Sequence, residues 1–148
     1  MNLKRAISPE LVEIGLPGTT KREIIESLVD LACRSGKVSD RETALGAVLE
    51  REKKMSTGMQ HGIAIPHAKT DTVNELVACI AVSAEPVDFE SLDAKPSRIF
   101  ICTLSPTTRS GPHIQFLAEV SKLLSDESRR TLMLAAKTPE DVIRILTR

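Results

Sequence analysis

The stretch Gly-Ile-Ala-Ile-Pro-His at residues 62–67 decides how this chain is interpreted, because an apolar, strand-like segment runs into a proline and then a histidine. Proline has no backbone N–H and cannot continue a central ladder of hydrogen bonds, so we expect the strand to end at Pro66. His67 would then lie at the rim of the sheet, where the sites of α/β proteins collect. The stretch therefore predicts a short, buried strand that presents an imidazole at its end.

Two helices are predicted before this stretch. Thr20 and Ser39 are each followed three residues later by glutamate, which is the capping-box pattern of a helix N-terminus. Apolar residues at helical spacing follow both patterns. The first helix should stop at Gly36 and the second near residues 53–55, so Arg51 lies in the last turn of the second helix.

Strands and helices also follow the stretch. Residues 76–82 and 97–104 are apolar and β-like, and helical periodicity begins at or just after Pro112, which places His113 in a first turn. This order of elements predicts an α/β layer structure with a mixed sheet and helices on both faces. Two shorter helices close the chain, one at residues 129–136 and one capped by Thr138 with Asp141 at the capping-box position.

The composition excludes several classes of function. Lysine plus arginine and aspartate plus glutamate number 20 each, so no net charge draws the chain to DNA or to an anionic membrane. There is no tryptophan or tyrosine on which single-stranded nucleic acid could stack, and the three phenylalanines are spread over separate segments. The apolar runs are far shorter than the ~20 residues that cross a bilayer, and polar residues interrupt what would be the apolar core of a signal sequence. We therefore expect a cytoplasmic protein of one domain.

The three cysteines, Cys33, Cys79 and Cys102, are each isolated within an apolar segment. No Cys-x-x-Cys pair is present, which favours buried free thiols in a reducing compartment. We interpret all three as structural residues.

The chemistry is expected at the histidines, His61, His67 and His113. A neutral imidazole can attack with a ring nitrogen and form a covalent intermediate, and the setting of His67 makes it the candidate nucleophile. A phosphoryl group on His67 would need donors and positive charge, which Arg51 and the first turn containing His113 could supply. The sequence alone does not show that these residues meet, and spacing alone favours the interpretation of Arg51 as a solvated charge within a charged run at residues 51–54. A zinc site built from the three histidines is disfavoured, because no compact ligand motif accompanies them.

Residues 49–69, which read LEREKKMSTGMQHGIAIPHAK, resemble the active-site signature of the fructose/mannitol-type enzyme IIA of the bacterial phosphotransferase system, a family that includes nitrogen-regulatory IIA proteins. The resemblance extends over nearly the whole chain, and it implies one domain over residues 1–148 with a mixed, mainly parallel sheet flanked by helices. It also implies that His67 is phosphorylated at Nε2, that Arg51 and His113 surround the phosphoryl group, and that no cofactor or metal ion takes part.

The resemblance implies protein partners as well. The phosphoryl donor would be the histidine phosphocarrier HPr or its regulatory paralogue, and the acceptor would be a cysteine of a IIB domain. Alternatively, the chain is a nitrogen-regulatory module whose phosphorylation controls binding to target proteins, and the sequence leaves both roles open.

The chain departs from the commonest family pattern at residues 59–62. Met-Gln-His-Gly stands where many relatives have Ile-Gly-Asn-Gly. A glutamine in place of the first glycine restricts positive φ, and His61 is either a variant loop residue or an additional contact of the site.

Overall fold

A computed structural model describes residues 3–148 of the chain. Its five strands are β1 (Val12–Leu16), β2 (Ile63–Ala64), β3 (His67–Lys69), β4 (Val77–Val87) and β5 (Ser97–Ser105). Its α-helices are α1 (Leu3–Ala6), α2 (Lys21–Cys33), α3 (Arg41–Lys54), α4 (Gly111–Leu124), α5 (Glu127–Ala135) and α6 (Pro139–Thr147), and one 3₁₀ turn covers Pro9–Leu11.

The strands form one mixed sheet with β5 inside it. The order is β1-β4-β5-β2, and β3 continues alongside β5 beyond β2. β4 pairs with β5 antiparallel, whereas β1 runs parallel to β4 and both β2 and β3 run parallel to β5. The predicted α/β fold with a mixed, mainly parallel sheet is confirmed.

Helices cover both faces of this sheet, as expected. Successive strand residues point to opposite faces, so Cys79 and Cys102 pack with α2 and α3, whereas Ile80 and Ile101 pack with α4, α5 and α6. Phe116 of α4 is fully buried in the second of these two cores.

Strand β1 is missing from the sequence-based prediction. Its register against β4 shifts between Ile14 and Leu16, and the intervening Gly15 has a φ of 75°. A short strand interrupted by such an irregularity lacks the clean alternation by which strands are recognised.

Two of the predicted helix caps are confirmed and one is wrong. Thr20 and Thr138 both form complete capping boxes. The cap of α3 is Asp40 and not Ser39: the Asp40 carboxylate accepts hydrogen bonds from Thr43 N at 3.2 Å and from Thr43 Oγ1 at 2.8 Å. Ser39 is instead held in the preceding loop, where its backbone N–H donates to the Thr72 carbonyl at 2.8 Å.

The cysteines are free thiols, as predicted. Cys79 and Cys102 are buried opposite each other on β4 and β5, and Cys33 is half-buried at the end of α2. Burial raises the pKa of Cys33, and the neighbouring Cys102 sulfur together with burial raises the pKa of Cys79. Both shifts disfavour the reactive thiolate and agree with a structural role.

Within residues 3–148, none of the helices has the length and apolar character that crossing a membrane requires.

The identity of the α3 cap can be tested with a matched pair of variants. Asp40→Ala should lower the free energy of unfolding by about 1 kcal/mol, because it removes the acceptor of the Thr43 N–H. Ser39→Ala should change it by less than about 0.5 kcal/mol, because the hydrogen bond of Ser39 uses its backbone. Urea unfolding of both variants is the measurement, and a larger loss in Ser39→Ala than in Asp40→Ala would show that Ser39 is the residue that caps α3.

Candidate active site

His67 is the first residue of strand β3 and pairs with β5, whereas the sequence predicts it just beyond the end of a strand. The predicted single strand at residues 62–67 is divided, because β2 ends at Ala64 and β3 begins at His67. Between them, Ile65 N donates to the Thr57 carbonyl at 3.0 Å, outside the ladder with β5, and Pro66 has no N–H to donate. The proline thus interrupts the strand as expected, but the chain rejoins the sheet one residue later.

The backbone around His67 determines which of its ring nitrogens is free. His67 Nδ1 lies 2.8 Å from the carbonyl oxygen of Ile65. A carbonyl only accepts, so Nδ1 carries the proton in this hydrogen bond. The Nε2 atom of the neutral ring then holds the lone pair, so it is the nitrogen with which the half-buried imidazole can form a new bond.

The structure brings His113 to His67. His113 is in the first turn of α4, as predicted, and it is buried with 8 % of its surface exposed. The centroids of the two imidazole rings are 5.0 Å apart and the ring planes are tilted by 41°. His113 Nδ1 is 2.8 Å from Thr103 Oγ1 on β5. Two rings separated by 46 positions in the chain therefore share one site.

Burial keeps His113 uncharged. Desolvation, with smaller effects from His67 and Lys69, lowers the pKa of His113 from 6.5 to about 4. At neutral pH the ring is therefore a neutral group with one N–H donor and one acceptor nitrogen.

Arg51 is in the last turn of α3, a helix that packs against β3. Its guanidinium donates one hydrogen bond, from Nη1 to the Met55 carbonyl at 2.8 Å. Within residues 3–148 no salt bridge is found for Arg51, and no hydrogen bond joins it to His67 or His113. Among the described residues, Arg51 therefore has no acidic partner and is hydrogen-bonded to neither histidine.

Glu52 is a supporting residue that sequence reasoning missed. Its side chain is buried, and its carboxylate accepts from Thr57 N at 2.7 Å and Thr57 Oγ1 at 2.6 Å. Lys21 compensates the charge with its Nζ 2.8 Å from Glu52 Oε2. Because the Thr57 carbonyl holds Ile65, Glu52 helps to position the backbone that orients His67. In the sequence, Glu52 is indistinguishable from a solvated charge within a run of charged residues.

His61 is exposed in a turn, which supports its interpretation as a loop residue. The turn is closed by a 3.3 Å hydrogen bond from Ile63 N to the Gln60 carbonyl, and φ is 63° at His61 and 75° at Gly62. The residue with a positive φ is therefore His61 and not Gln60, so the glutamine does not have to adopt the conformation that a glycine would favour. The backbone N–H of His61 donates to Asp93 Oδ2 at 3.2 Å.

The zinc-site alternative finds no support in the part of the chain that the structure describes. No group of three or more histidine, cysteine or acidic side chains there has an arrangement that could hold a metal ion.

Comparison with known proteins identifies the class. Residues 5–148 match the family described as "Phosphoenolpyruvate-dependent sugar phosphotransferase system, EIIA 2". The chain is 41 % identical over 137 residues to a fructose-specific EIIA component of Haloferax volcanii, covering 93 % of this chain and 89 % of that protein. It is 27 % identical over 146 residues to a nitrogen regulatory protein of Pseudomonas aeruginosa, covering 99 % and 95 % of the two chains.

The fold is shared with a solved structure of a complex between enzyme IIAMTL and phosphorylated enzyme IIBMTL of Escherichia coli. The match has a TM-score of 0.81 and 25 % identity, and it covers 94 % of this chain and 95 % of the other. The fold and the matched residues therefore define a IIA-type phosphotransferase. The chain belongs to the type-2 EIIA family of the phosphoenolpyruvate-dependent sugar phosphotransferase system.

The depressed pKa of His113 predicts a specific pH dependence of stability. The unfolded chain binds a proton at His113 below about pH 6.5, whereas the folded protein does so only near pH 4. The stabilisation is therefore complete above pH 6.5 and is lost as the pH falls toward 4. Between pH 7 and pH 4.5, the wild type should lose about 2 kcal/mol more unfolding free energy than His113→Gln.

Urea unfolding at several pH values measures this difference. His61→Gln is the matched control, because it removes an imidazole that is exposed in a turn and not buried. Equal pH slopes for wild type and His113→Gln would contradict a buried, neutral His113.

Proposed function

We propose that residues 1–148 form a phosphoryl-carrier IIA domain that acts in the cytoplasm. It accepts a phosphoryl group on His67 from an HPr-like histidine phosphocarrier and passes the group to a cysteine of a IIB-type partner. The observation that carries this proposal is the hydrogen bond from His67 Nδ1 to the Ile65 carbonyl beside the second, neutral histidine. That bond leaves Nε2 as the nitrogen that can attack phosphorus.

The transfer requires no cofactor and no change in oxidation state. The lone pair of His67 Nε2 forms the new N–P bond while the N–P bond of the donor breaks, and the electrons of the broken bond return to the donor nitrogen. In the second transfer, a thiolate of the IIB partner attacks phosphorus and His67 Nε2 recovers its lone pair. Family membership supports this direction, as does the solved complex in which a related IIA is bound to a phosphorylated IIB.

The groups around His67 suit a phosphoryl group with its negative charge. His113 can offer one ring N–H, and its helix α4 begins without a side-chain hydrogen bond from Ser110, so the first-turn N–H groups have no side-chain cap. Arg51 uses one of its five N–H donors on Met55 and retains the others. We infer that the guanidinium turns toward the phosphoryl oxygens when the group is present.

A nitrogen-regulatory role is the second candidate, and the match over nearly the full length of the Pseudomonas aeruginosa protein favours it. Phosphorylation of His67 would then change the affinity for a target protein without onward transfer. Transfer of label from the phosphorylated chain to a IIB cysteine distinguishes the two roles, because only the sugar-transport role requires it.

Incubation with phosphoenolpyruvate, enzyme I and HPr should add one phosphoryl group to the protein. The adduct should be acid-labile and alkali-stable, as expected of phosphohistidine, and it should map to His67. Intact mass spectrometry followed by peptide mapping is the measurement.

His67→Ala should abolish this modification in a folded protein, and His61→Ala should retain it, because His61 is in an exposed turn. Label on His61 or His113 in the wild type would overturn the assignment. Absence of label with HPr and with its regulatory paralogue would remove the carrier function.

Arg51→Lys should already slow phosphorylation of His67, because an ammonium does not reproduce the bidentate geometry of a guanidinium. His113→Ala should slow it by about 10²- to 10³-fold, the usual effect of losing one donor to a developing charge, while some phosphorylation persists. Single-turnover rates from phosphorylated HPr measure both effects. Lys53→Ala, on the same helix and paired with Glu50, is the control. Wild-type rates in both test variants would exclude Arg51 and His113 from the site.

A further inference from the structure

Thr103 is positioned between the two histidines of the site. It lies on β5, is fully buried, and is the register partner of His67 in the parallel pairing of β3 with β5. Its backbone N–H donates to the carbonyl of Pro66, immediately before His67, at 3.2 Å. Its side-chain oxygen is 2.8 Å from His113 Nδ1. One residue of the sheet therefore contacts the segment that presents His67 and the ring of His113.

The hydrogen bond between Thr103 and His113 can run in either direction, but the two directions differ in energy. If His113 Nδ1–H donated to Thr103 Oγ1, the hydroxyl proton would need another acceptor, and residues 3–148 provide no second partner for Oγ1. A buried donor left without a partner costs about 1–3 kcal/mol. If the hydroxyl donates to Nδ1, its proton is satisfied, and the proton of the neutral ring is at Nε2.

We propose that Thr103 is a positioning residue for phosphoryl transfer: its hydroxyl donates to His113 Nδ1 and so fixes the tautomer of His113 that carries an N–H at Nε2. This inference rests on the proposed carrier function, in which His113 supplies a donor to the phosphoryl group.

The two rings then have opposite tautomers, each set by a bond to its Nδ1. The Ile65 carbonyl accepts from His67 Nδ1, so His67 presents a lone pair at Nε2. Thr103 donates to His113 Nδ1, so His113 presents a proton at Nε2. With the opposite tautomer, His113 would present a second lone pair, which repels the phosphoryl oxygens. The low pKa of His113 agrees with this arrangement, because a neutral ring depends on its tautomer for a donor at Nε2.

Two substitutions at this position separate the hydroxyl from the volume of the side chain. Thr103→Val keeps the shape and removes the hydroxyl, whereas Thr103→Ser keeps the hydroxyl. Ser105→Ala is the matched control, because Ser105 is a buried residue two positions further along β5 whose Oγ has no hydrogen-bond partner within residues 3–148.

The first readout is the tautomer of His113, read from the ¹⁵N chemical shifts of its ring nitrogens at pH 7 without any phosphoryl donor. Wild type, Thr103→Ser and Ser105→Ala should show the Nε2–H tautomer, and Thr103→Val should show a mixture or the Nδ1–H form. The second readout is the single-turnover rate of His67 phosphorylation from phosphorylated HPr. We expect a roughly 10- to 100-fold decrease in Thr103→Val, the range found for partners that orient metal-ligating histidines, and near-wild-type rates in Thr103→Ser and Ser105→Ala.

A wild-type tautomer and rate in Thr103→Val would overturn the proposal, as would an Nδ1–H tautomer of His113 in the wild type. A slow Thr103→Val that retains the wild-type tautomer and is not rescued by Thr103→Ser would reduce Thr103 to a packing residue. If Thr103→Val does not fold, the wild-type and Thr103→Ser spectra still decide the direction of the bond. If the wild type takes no phosphoryl group from any carrier, the proposed function fails and the role in transfer fails with it, whereas the spectra separately decide whether Thr103 sets the tautomer.

Discussion

The parallel pairing of β3 with β5 is the constraint on which the site depends. Only three residues of β3 join the sheet, and the first of them is His67, in register with Thr103. Neighbouring residues in register extend their side chains to the same face, so this pairing directs His67 toward α4 and His113. A slip of one residue would send the imidazole to the opposite face, toward α2 and α3. The depth of β5 within the sheet, with β4 on one side and β2 and β3 on the other, holds this register in place.

The loops before β2 and before β5 support this pairing from one end of the sheet. Gly58 lies so close to the loop before β5 that a side chain would not fit: a Cβ atom at this position would be 2.5 Å from Ser91 Oγ. Ser56 Oγ donates to the Phe89 carbonyl at 2.6 Å, and the buried carboxylate of Glu52 holds Thr57. A buried charge is tolerated only when it is paired, and Lys21 supplies the partner. These contacts fix the backbone that leads into His67 without contributing a group to the chemistry.

The electrostatics of the site are local, since the chain has no net charge. Burial of His113 keeps its ring neutral, so in the proposed function the positive charge for a phosphoryl group would come from side chains such as Arg51, whose guanidinium has no acidic partner among residues 3–148, and Lys69, which acts electrostatically on His113. A neutral donor at His113 would bind a phosphoryl group less tightly than a second charged residue would. This arrangement suits the proposed carrier, because a phosphoryl group that is bound too tightly would not be passed on. In the proposed carrier, the reversible binding of a dianion would therefore depend on a few side chains and not on an overall field.

The sequence by itself determined the class of fold and singled out His67 as the candidate nucleophile. Periodicity and capping patterns predicted α2, α4 and α6, and the proline at position 66 correctly indicated an interruption of the strand, because these signals depend on neighbours within a few residues. Three features were missed because each depends on contacts with distant parts of the chain. Strand β1 has a register shift in its pairing with β4. The Asp40 cap is selected over Ser39 because the Thr72 carbonyl holds the backbone of Ser39, and the burial of Glu52 depends on its ion pair with Lys21. Only the tertiary structure decided that His67 and His113 share a site and which nitrogen of His67 is free. The distance between two rings and the direction of a hydrogen bond follow from the packing of α4 on β5 and the path of the backbone at Ile65, and no local pattern of residues encodes them.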